Sequence, residues 1–261
     1  MIDIHSHILP GIDDGAKTKE ESIEIAKIAV ENGITKMIAT PHYDPGDSCF
    51  QEKMKAGVEA LNEEFLKEGI PLTLYPGAES FLNGETLAHL KEGRIPTLNH
   101  TSYLLVEFPL QDLPLKIHDL FYQVQMLGYR PIIAHPERYR EVQRNLNFVK
   151  EWIERGALIQ INATSITGVN GSLPRETAKH LLSHDMVHLI GTDTHSPGNR
   201  KPGMKKALGI LRKWMGEELT EEMMGNNEKI LQGERIFHRS PMEYPRAYGF
   251  WKRFKGKLSN S

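Results

Sequence analysis

Nine side chains of the metal-binding type stand along this chain, all but Asp14 where a short apolar run stops: His5, His7, Asp14, His42, Glu79, Glu107, His135, Asp193 and His195. The runs have the length of strands. Residues 2–6 alternate apolar with polar, and 36–40, 72–75, 103–106, 131–134, 157–161 and 187–190 supply six more. Helical spacing fills the intervals, over 18–33, 50–69, 85–93, 115–128, 146–156 and 174–185, and helices over 203–215 and 221–231 close the series. Short strands alternating with amphipathic helices predict βα units and a parallel sheet. Seven such units predict an α/β fold, a (β/α)7 barrel of the TIM type in a single domain. The C-terminal strand ends of such a barrel open on one shared mouth. All the candidate ligands sit at such ends except Asp14, which lies in the loop after the first strand. A doubly wound open sheet would spread these ends along a line, where one common site is harder to assemble.

The remaining composition excludes several classes. A chain of 261 residues suits one α/β barrel. A formal net charge of −2 argues against a general nucleic-acid binder, which needs a broad basic surface. The single cysteine, Cys49, rules out an internal disulfide and fits a reducing cytoplasm. The opening Met-Ile-Asp-Ile-His has no basic or apolar leader pattern, so no signal peptide is expected, and no apolar run has the length to cross a bilayer. The balance changes only at the end. From Arg239 onward six basic residues (Arg239, Arg246, Lys252, Arg253, Lys255 and Lys257) face one acid, Glu243, and are interleaved with Tyr244, Tyr248, Phe250, Trp251 and Phe254. The expected division is therefore a barrel over 1–238 and a basic, aromatic tail over 239–261. Such a tail can lie on an anionic membrane surface as a peripheral contact, or stay solvated or packed on its own domain.

Spacing gives the nine residues their chemistry. His5 and His7 are two apart on a strand and leave the same face, as ligands to a shared ion must. Asp13-Asp14-Gly15 follows; such a cluster turns the chain and leaves one carboxylate to face a metal. Glu79 and Glu107 end strongly apolar strands, where a buried carboxylate is costly unless paired with a cation. An internal arginine would serve that need as well as a metal would. His42 in Thr40-Pro41-His42 and His135 in Ala134-His135-Pro136-Glu137-Arg138 have ordinary core histidines as their alternative, and Asp193-x-His195 repeats the two-residue spacing. Together the nine offer enough donors for two or three divalent ions. Imidazole and carboxylate without thiolate suit Mn²⁺, Zn²⁺ or Fe²⁺ and do not choose among them. Ions so held make water a nucleophile near neutral pH. Arg138 and Arg200, three and five residues beyond His135 and His195, carry forks that match phosphate oxygens and predict a phosphoester substrate. Other nucleophiles fit poorly: six residues after Cys49 stands Lys55 rather than arginine, and no Gly-x-Ser-x-Gly elbow or phosphate-binding glycine loop is present. His89, His100, His118, His188 and His238 have no assigned role, and the i, i+4 pair His180 and His184 is expected on a solvated helix face.

His5-x-His7 with its Asp-Asp-Gly, Thr40-Pro41-His42, Gly77-x-Glu79, Glu107-Phe108-Pro109, Ala134-His135-Pro136-Glu137-Arg138 and Asp193-x-His195 resemble the polymerase-and-histidinol-phosphatase (PHP) family over about residues 1–240. Within it the chain is similar to the bacterial protein-tyrosine phosphatases of the CpsB/YwqE type. The resemblance implies a distorted seven-stranded barrel with three metals and activity usually dependent on manganese. It implies one ion on His5, His7, Glu79 and Asp193, a second on Glu79, Glu107 and His135, and a third on Asp14, His42 and His195. Arg138 and Arg200 would grip the phosphate. It further implies phosphotyrosine on a partner bacterial tyrosine kinase as substrate, and control of capsule and exopolysaccharide synthesis as the role. The oligomeric state is left open. Relatives with the same ligands hydrolyse histidinol phosphate or act on DNA ends, and a kinase-docking adaptor without catalysis is a further alternative. Residues 43–51 and 163–173 are the expected substrate-selecting loops.

Overall fold

The computed structural model describes residues 1–237 and 239–245. Strands β1 (Ile2–Ser6), β2 (Lys36–Ala39) and β3 (Thr73–Pro76) form one parallel sheet. Strands β4 (Glu79–Phe81), β5 (Tyr103–Glu107), β6 (Arg130–Ala134), β7 (Leu158–Asn162) and β8 (Leu189–Gly191) form another. The sheets meet at both edges. Ser6 bridges Thr194 and His42 bridges Glu79, with His7 N donating to Thr194 O at 2.8 Å and Tyr43 N to Glu79 O at 2.7 Å. The ladder between β2 and β3 and the His42–Glu79 bridge keep one register, so β3 and β4 are halves of a single strand interrupted at Gly77-Ala78. The ring therefore has seven strand positions, all parallel where paired, in the distorted α/β barrel that the sequence predicts.

Local sequence explains the elements that surround it. Thr18 caps α1 (Lys19–Glu31) by accepting from Glu21 N, and Ile23, Ile25, Ala26 and Ala29 bury one face of that helix. Helix α2 (Phe50–Lys67) buries Phe50, Met54, Val58, Leu61 and Phe65, spaced as one stripe. Asn83 and Thr86 close a capping box on α3 (Gly84–Lys91). The others are α4 (Ile117–Met126), α5 (Arg140–Arg144), α6 (Asn147–Glu154), α7 (Ala163–Thr167), α8 (Ser172–Leu182), α9 (Met204–Met215) and α10 (Glu217–Gln232). Helices α5 and α7 are not among the expected elements, because five residues are too few to show a helical period. The segment 163–173 is accordingly α7, its turn and the start of α8 rather than an open loop.

Ile2, Ile4, Ile38, Leu105, Ile132, Leu158 and Leu189 come from strands all round the ring and pack together, with Ile230 and Leu231 of α10 in the same cluster. Asn227 of α10 donates to both Ile2 O (3.0 Å) and Ile190 O (2.7 Å), satisfying carbonyls where β1 and β8 part. Beyond α10, Arg239 pairs with Glu218 and Glu222. Tyr244 exchanges backbone hydrogen bonds with the Asn147 side chain at 2.8 and 3.0 Å, and its ring covers His180 and His184 at 5.4 and 5.0 Å. Residues 239–245 thus run along the barrel's helices. The rest of the expected tail, with Arg246, Tyr248, Phe250, Trp251, Lys252, Arg253, Phe254, Lys255 and Lys257, lies outside the described residues, as does His238.

Candidate metal centre

All nine singled-out residues converge at the C-terminal mouth of the barrel. Glu79, the first residue of β4, stands in the middle: its Oε2 lies 3.1 Å from His5 Nε2, 3.3 Å from His7 Nε2 and 3.4 Å from His42 Nδ1, and its Oε1 lies 3.1 Å from His135 Nε2. Glu107, at the end of β5, places its carboxylate oxygens 3.0 Å from His42 Nδ1 and 3.8 Å from His135 Nε2. Asp193 Oδ1 faces His5, His7 and His195 at 3.6, 3.5 and 3.3 Å. Asp14 Oδ1 completes the rim, 3.3 Å from His195 Nε2 and 3.6 Å from His42 Nε2. Arg138 and Arg200 both reach Asp193 Oδ2, at 3.1 and 2.8 Å. Together with Leu110, nine of these side chains line a cavity of about 110 Å³. A more open hollow of about 400 Å³ adjoins it, sharing Asp14, His195 and Arg200 and adding Lys17, Ser196 and Asn199.

Two glycines let the chain bring the imidazoles this close. A Cβ on Gly15 would stand 2.1 Å from His7 O, and one on Gly191 would stand 2.7 Å from His5 Cβ. Two candidate ligands, His135 (φ 38°) and Asp193 (φ 53°), sit in left-handed backbone, a strain that concentrates at functional sites. Further buried groups orient the ligands, of which the sequence singles out only the Asp13-Asp14 pair. Asp13 accepts from His7 Nδ1 at 2.6 Å while its oxygens also take Gly15 N and His42 N; it turns the loop and leaves Asp14 for the rim. Gln160 and Asn162 of β7 touch His5 and Asp193. Buried Glu137 accepts from Asn162 N at 3.0 Å. The signal available was the pair Gln160-x-Asn162, two amides on one face of an otherwise apolar strand.

The donors fit divalent cations. Among the described residues, four groups present atoms that all lie within 4.8 Å of one another: His7, Asp14, His42 and His195; His5, His7 and Asp193; His5, Glu79 and His135; His42, Glu79 and Glu107. His42 Nδ1 and Glu107 Oε1 are only 3.0 Å apart, yet both are buried without a hydrogen-bond partner, so they are near each other but not aimed at each other. Two donors converging on a common cation would be placed in this way. The charges agree. Burial alone would lower His7, but the Asp13 and Glu79 carboxylates outweigh it and push its pKa up to about 10; His5 is raised against burial by Glu79 and Asp193. Glu79 is held low, burial being overcome by His5, His135 and His7, and Asp193 by the same histidines with Arg200. His195 goes the other way, to about 3, through burial and the charge on His7. The carboxylates thus favour positive charge at His5 and His7, which a divalent cation would supply.

A parallel barrel whose mouth gathers this donor set beneath two arginines has the build of a metal-dependent phosphohydrolase. The chain belongs to the CpsB/CapC family of capsular polysaccharide synthesis, whose model matches residues 1–232. It is 38% identical over 256 residues to the tyrosine-protein phosphatase YwqE of Bacillus subtilis, covering 96% of this chain and all of that one. To the tyrosine-protein phosphatase CpsB of Streptococcus pneumoniae it is 32% identical over 243 residues, covering 90% and 100%. A solved structure from work on those two proteins, described as unique metal-dependent tyrosine phosphatases, superposes with a TM-score of 0.91 at 37% identity over 94% of this chain and 100% of that one.

Proposed function

We propose that this chain is a metal-dependent protein-tyrosine phosphatase acting on a phosphorylated bacterial tyrosine kinase, and that it thereby regulates capsule and exopolysaccharide synthesis. The observation that carries the reading is the two-sided use of Asp193: Oδ1 faces the imidazoles while Oδ2 takes both arginines, so a phosphoryl group gripped by Arg138 and Arg200 lies directly against the ligand cup. His5, His7, Glu79 and Asp193, then Glu79, Glu107 and His135, then Asp14, His42 and His195 would hold up to three divalent ions, with Mn²⁺ the proposed metal and Zn²⁺ or Fe²⁺ able to use the same donors. When bound, such ions supply Lewis acidity that lowers the pKa of water and polarises the phosphoryl group. The protein's own share is electrostatic and steric. The arginine forks take phosphoryl oxygens and hold the charge that develops on them. His195, kept neutral, offers a lone pair instead of repelling a cation. The cavity of about 110 Å³ admits a phosphoryl group and leaves the tyrosyl ring and flanking backbone for the adjoining hollow. The relatives' names support phosphotyrosine over histidinol phosphate or a DNA end. The exposed free thiol of Cys49 suits a cytoplasmic enzyme, and no helix among the described residues is long and apolar enough to cross a membrane. Comparing turnover of a phosphotyrosine peptide, histidinol phosphate and single-stranded DNA by the manganese-loaded protein tests the assignment; preference for either of the last two would overturn it.

A further inference from the structure

Three buried contacts link two of the candidate ligands through the β7 amides. Asn162 Nδ2 donates to Asp193 Oδ2 at 2.6 Å, Gln160 Nε2 donates to Asn162 Oδ1 at 2.9 Å, and Gln160 Oε1 lies 2.8 Å from His5 Nδ1. Gln160, Asn162, His5 and Asp193 are all at most 2% exposed. The direction of this chain follows from elementary chemistry, independent of how either amide is drawn. An ionised carboxylate only accepts, so Asn162 must turn its NH₂ toward Asp193. Its oxygen then faces Gln160 and must accept, which turns the Gln160 NH₂ toward it. Gln160 is left with only an oxygen for His5, so His5 Nδ1 must carry a proton. Inverting any link would set two acceptors or two donors against each other in a dry interior, at the full cost of unsatisfied buried groups. Glu137 fixes the strand that carries the relay by accepting from Asn162 N.

We propose that Gln160 and Asn162 are positioning residues: they hold His5 as its Nδ1–H form, leaving Nε2 to bind a cation, and they occupy Asp193 Oδ2 so that Oδ1 is reserved for ligation. The inference rests on the metal-centre reading and goes beyond it. The same relay explains why the two arginines and the imidazole cup are in register. Asp193 Oδ2 receives Asn162, Arg138 and Arg200 together, so the amides that orient His5 also anchor the carboxylate against which the phosphate-binding forks are set. His7, just past the end of β1, has a one-step counterpart, its Nδ1 held by Asp13 at 2.6 Å, so both histidines present the same nitrogen. Outer groups that orient ligands in this way change metal affinity about 10–100-fold when lost.

The direct test is the protonation state of His5 in ¹⁵N-labelled, zinc-loaded full-length protein, read from long-range ¹H–¹⁵N correlations of the imidazole. The relay requires a protonated Nδ1 and a zinc-bearing Nε2; a protonated Nε2 with zinc on Nδ1 overturns it. Asn162→Asp, which keeps the shape but sets a second carboxylate against Asp193, and Gln160→Leu are then compared with the parent by chelator competition. Zinc affinity about 10–100-fold weaker supports the positioning role, and affinity within twofold of the parent in both overturns it. The spectrum of the parent protein decides the polarity even if both variants fail to fold. Failure of the parent to bind zinc, manganese or iron at all would instead remove the metal-centre reading beneath the proposal.

Discussion

Replacing Arg200 with methionine separates phosphate binding from metal binding. The Arg200 side chain is about a third exposed, and its guanidinium meets Asp193 Oδ2 at 2.8 Å. That oxygen keeps two other donors after the change, Asn162 at 2.6 Å and Arg138 at 3.1 Å, so Asp193 is not left as an unsatisfied buried charge and its Oδ1 stays where it is. The loss should therefore be that of one charge-assisted hydrogen bond to the phosphoryl group, about 1.5–3 kcal/mol. Since each 1.4 kcal/mol is about tenfold, kcat/KM should fall about 10- to 150-fold. The assay is hydrolysis of p-nitrophenyl phosphate and a phosphotyrosine peptide, with bound metal counted by mass spectrometry on the same samples. Unchanged metal content with the predicted loss on both substrates supports the division of labour. A variant within threefold of the parent, or one that sheds its metal, would refute the reasoning. The double change Arg138→Met/Arg200→Met leaves Oδ2 with Asn162 alone among the described residues and should begin to lose metal as well.

Other consequences are as direct. Because the carboxylates hold the His5 and His7 protons more tightly than usual, with His7 near 10, metal binding at pH 7 must expel protons. Affinity should rise with pH toward about 10, which calorimetry in buffers of different ionisation enthalpy measures as proton release. The metal-free fold has the opposite sign: His7's contribution is complete below its unfolded value of about 6.5 and is lost as pH rises through about 10, so metal-free thermal stability should decline across that window. Chelation at neutral pH should lower Tm by about 5–10 °C relative to protein with metal at 100 times its Kd, a stabilisation of about 2.7 kcal/mol; an unchanged Tm would count against ligation by the folded state. Gly15→Ala drives a Cβ into His7 O and should weaken metal binding at least about tenfold, whereas Gly209→Ala, on helix α9 with nothing within 4 Å, should leave affinity unchanged. Equal affinities in the two variants would show that the first loop does not set His7.

Much of this centre was legible because its ligands interrupt apolar strands. A charged group directly after residues such as Leu104, Leu105 and Val106 has to be reconciled with burial, and Glu107 is indeed only 6% exposed. The seven-position ring was legible for the same reason, as a count of apolar runs. The break between β3 and β4 was not, because Gly77-Ala78 reads equally well as a turn after a strand or as an interruption within one. The amides left only a weak signal, a polar pair on one face of an apolar strand. Gln160 and Asn162 alternate with Ile159 and Ile161 as ordinary strand residues do, and only the closure of the barrel brings β7 against His5 and Asp193. Asp13 shows the limit from the other side. The sequence gives two adjacent aspartates with no way to rank them, and the hydrogen bonds from Gly15 N and His42 N occupy Asp13 while Asp14 faces the imidazoles.

The most direct test of the central claim is hydrolysis of a phosphotyrosine peptide by metal-stripped protein after adding back Mn²⁺, Zn²⁺ or buffer alone, with His135→Ala alongside. Turnover should be absent in buffer, restored by metal and most strongly by Mn²⁺, and lost in the variant. Silence with every metal, or equal activity in buffer and in His135→Ala, would contradict it.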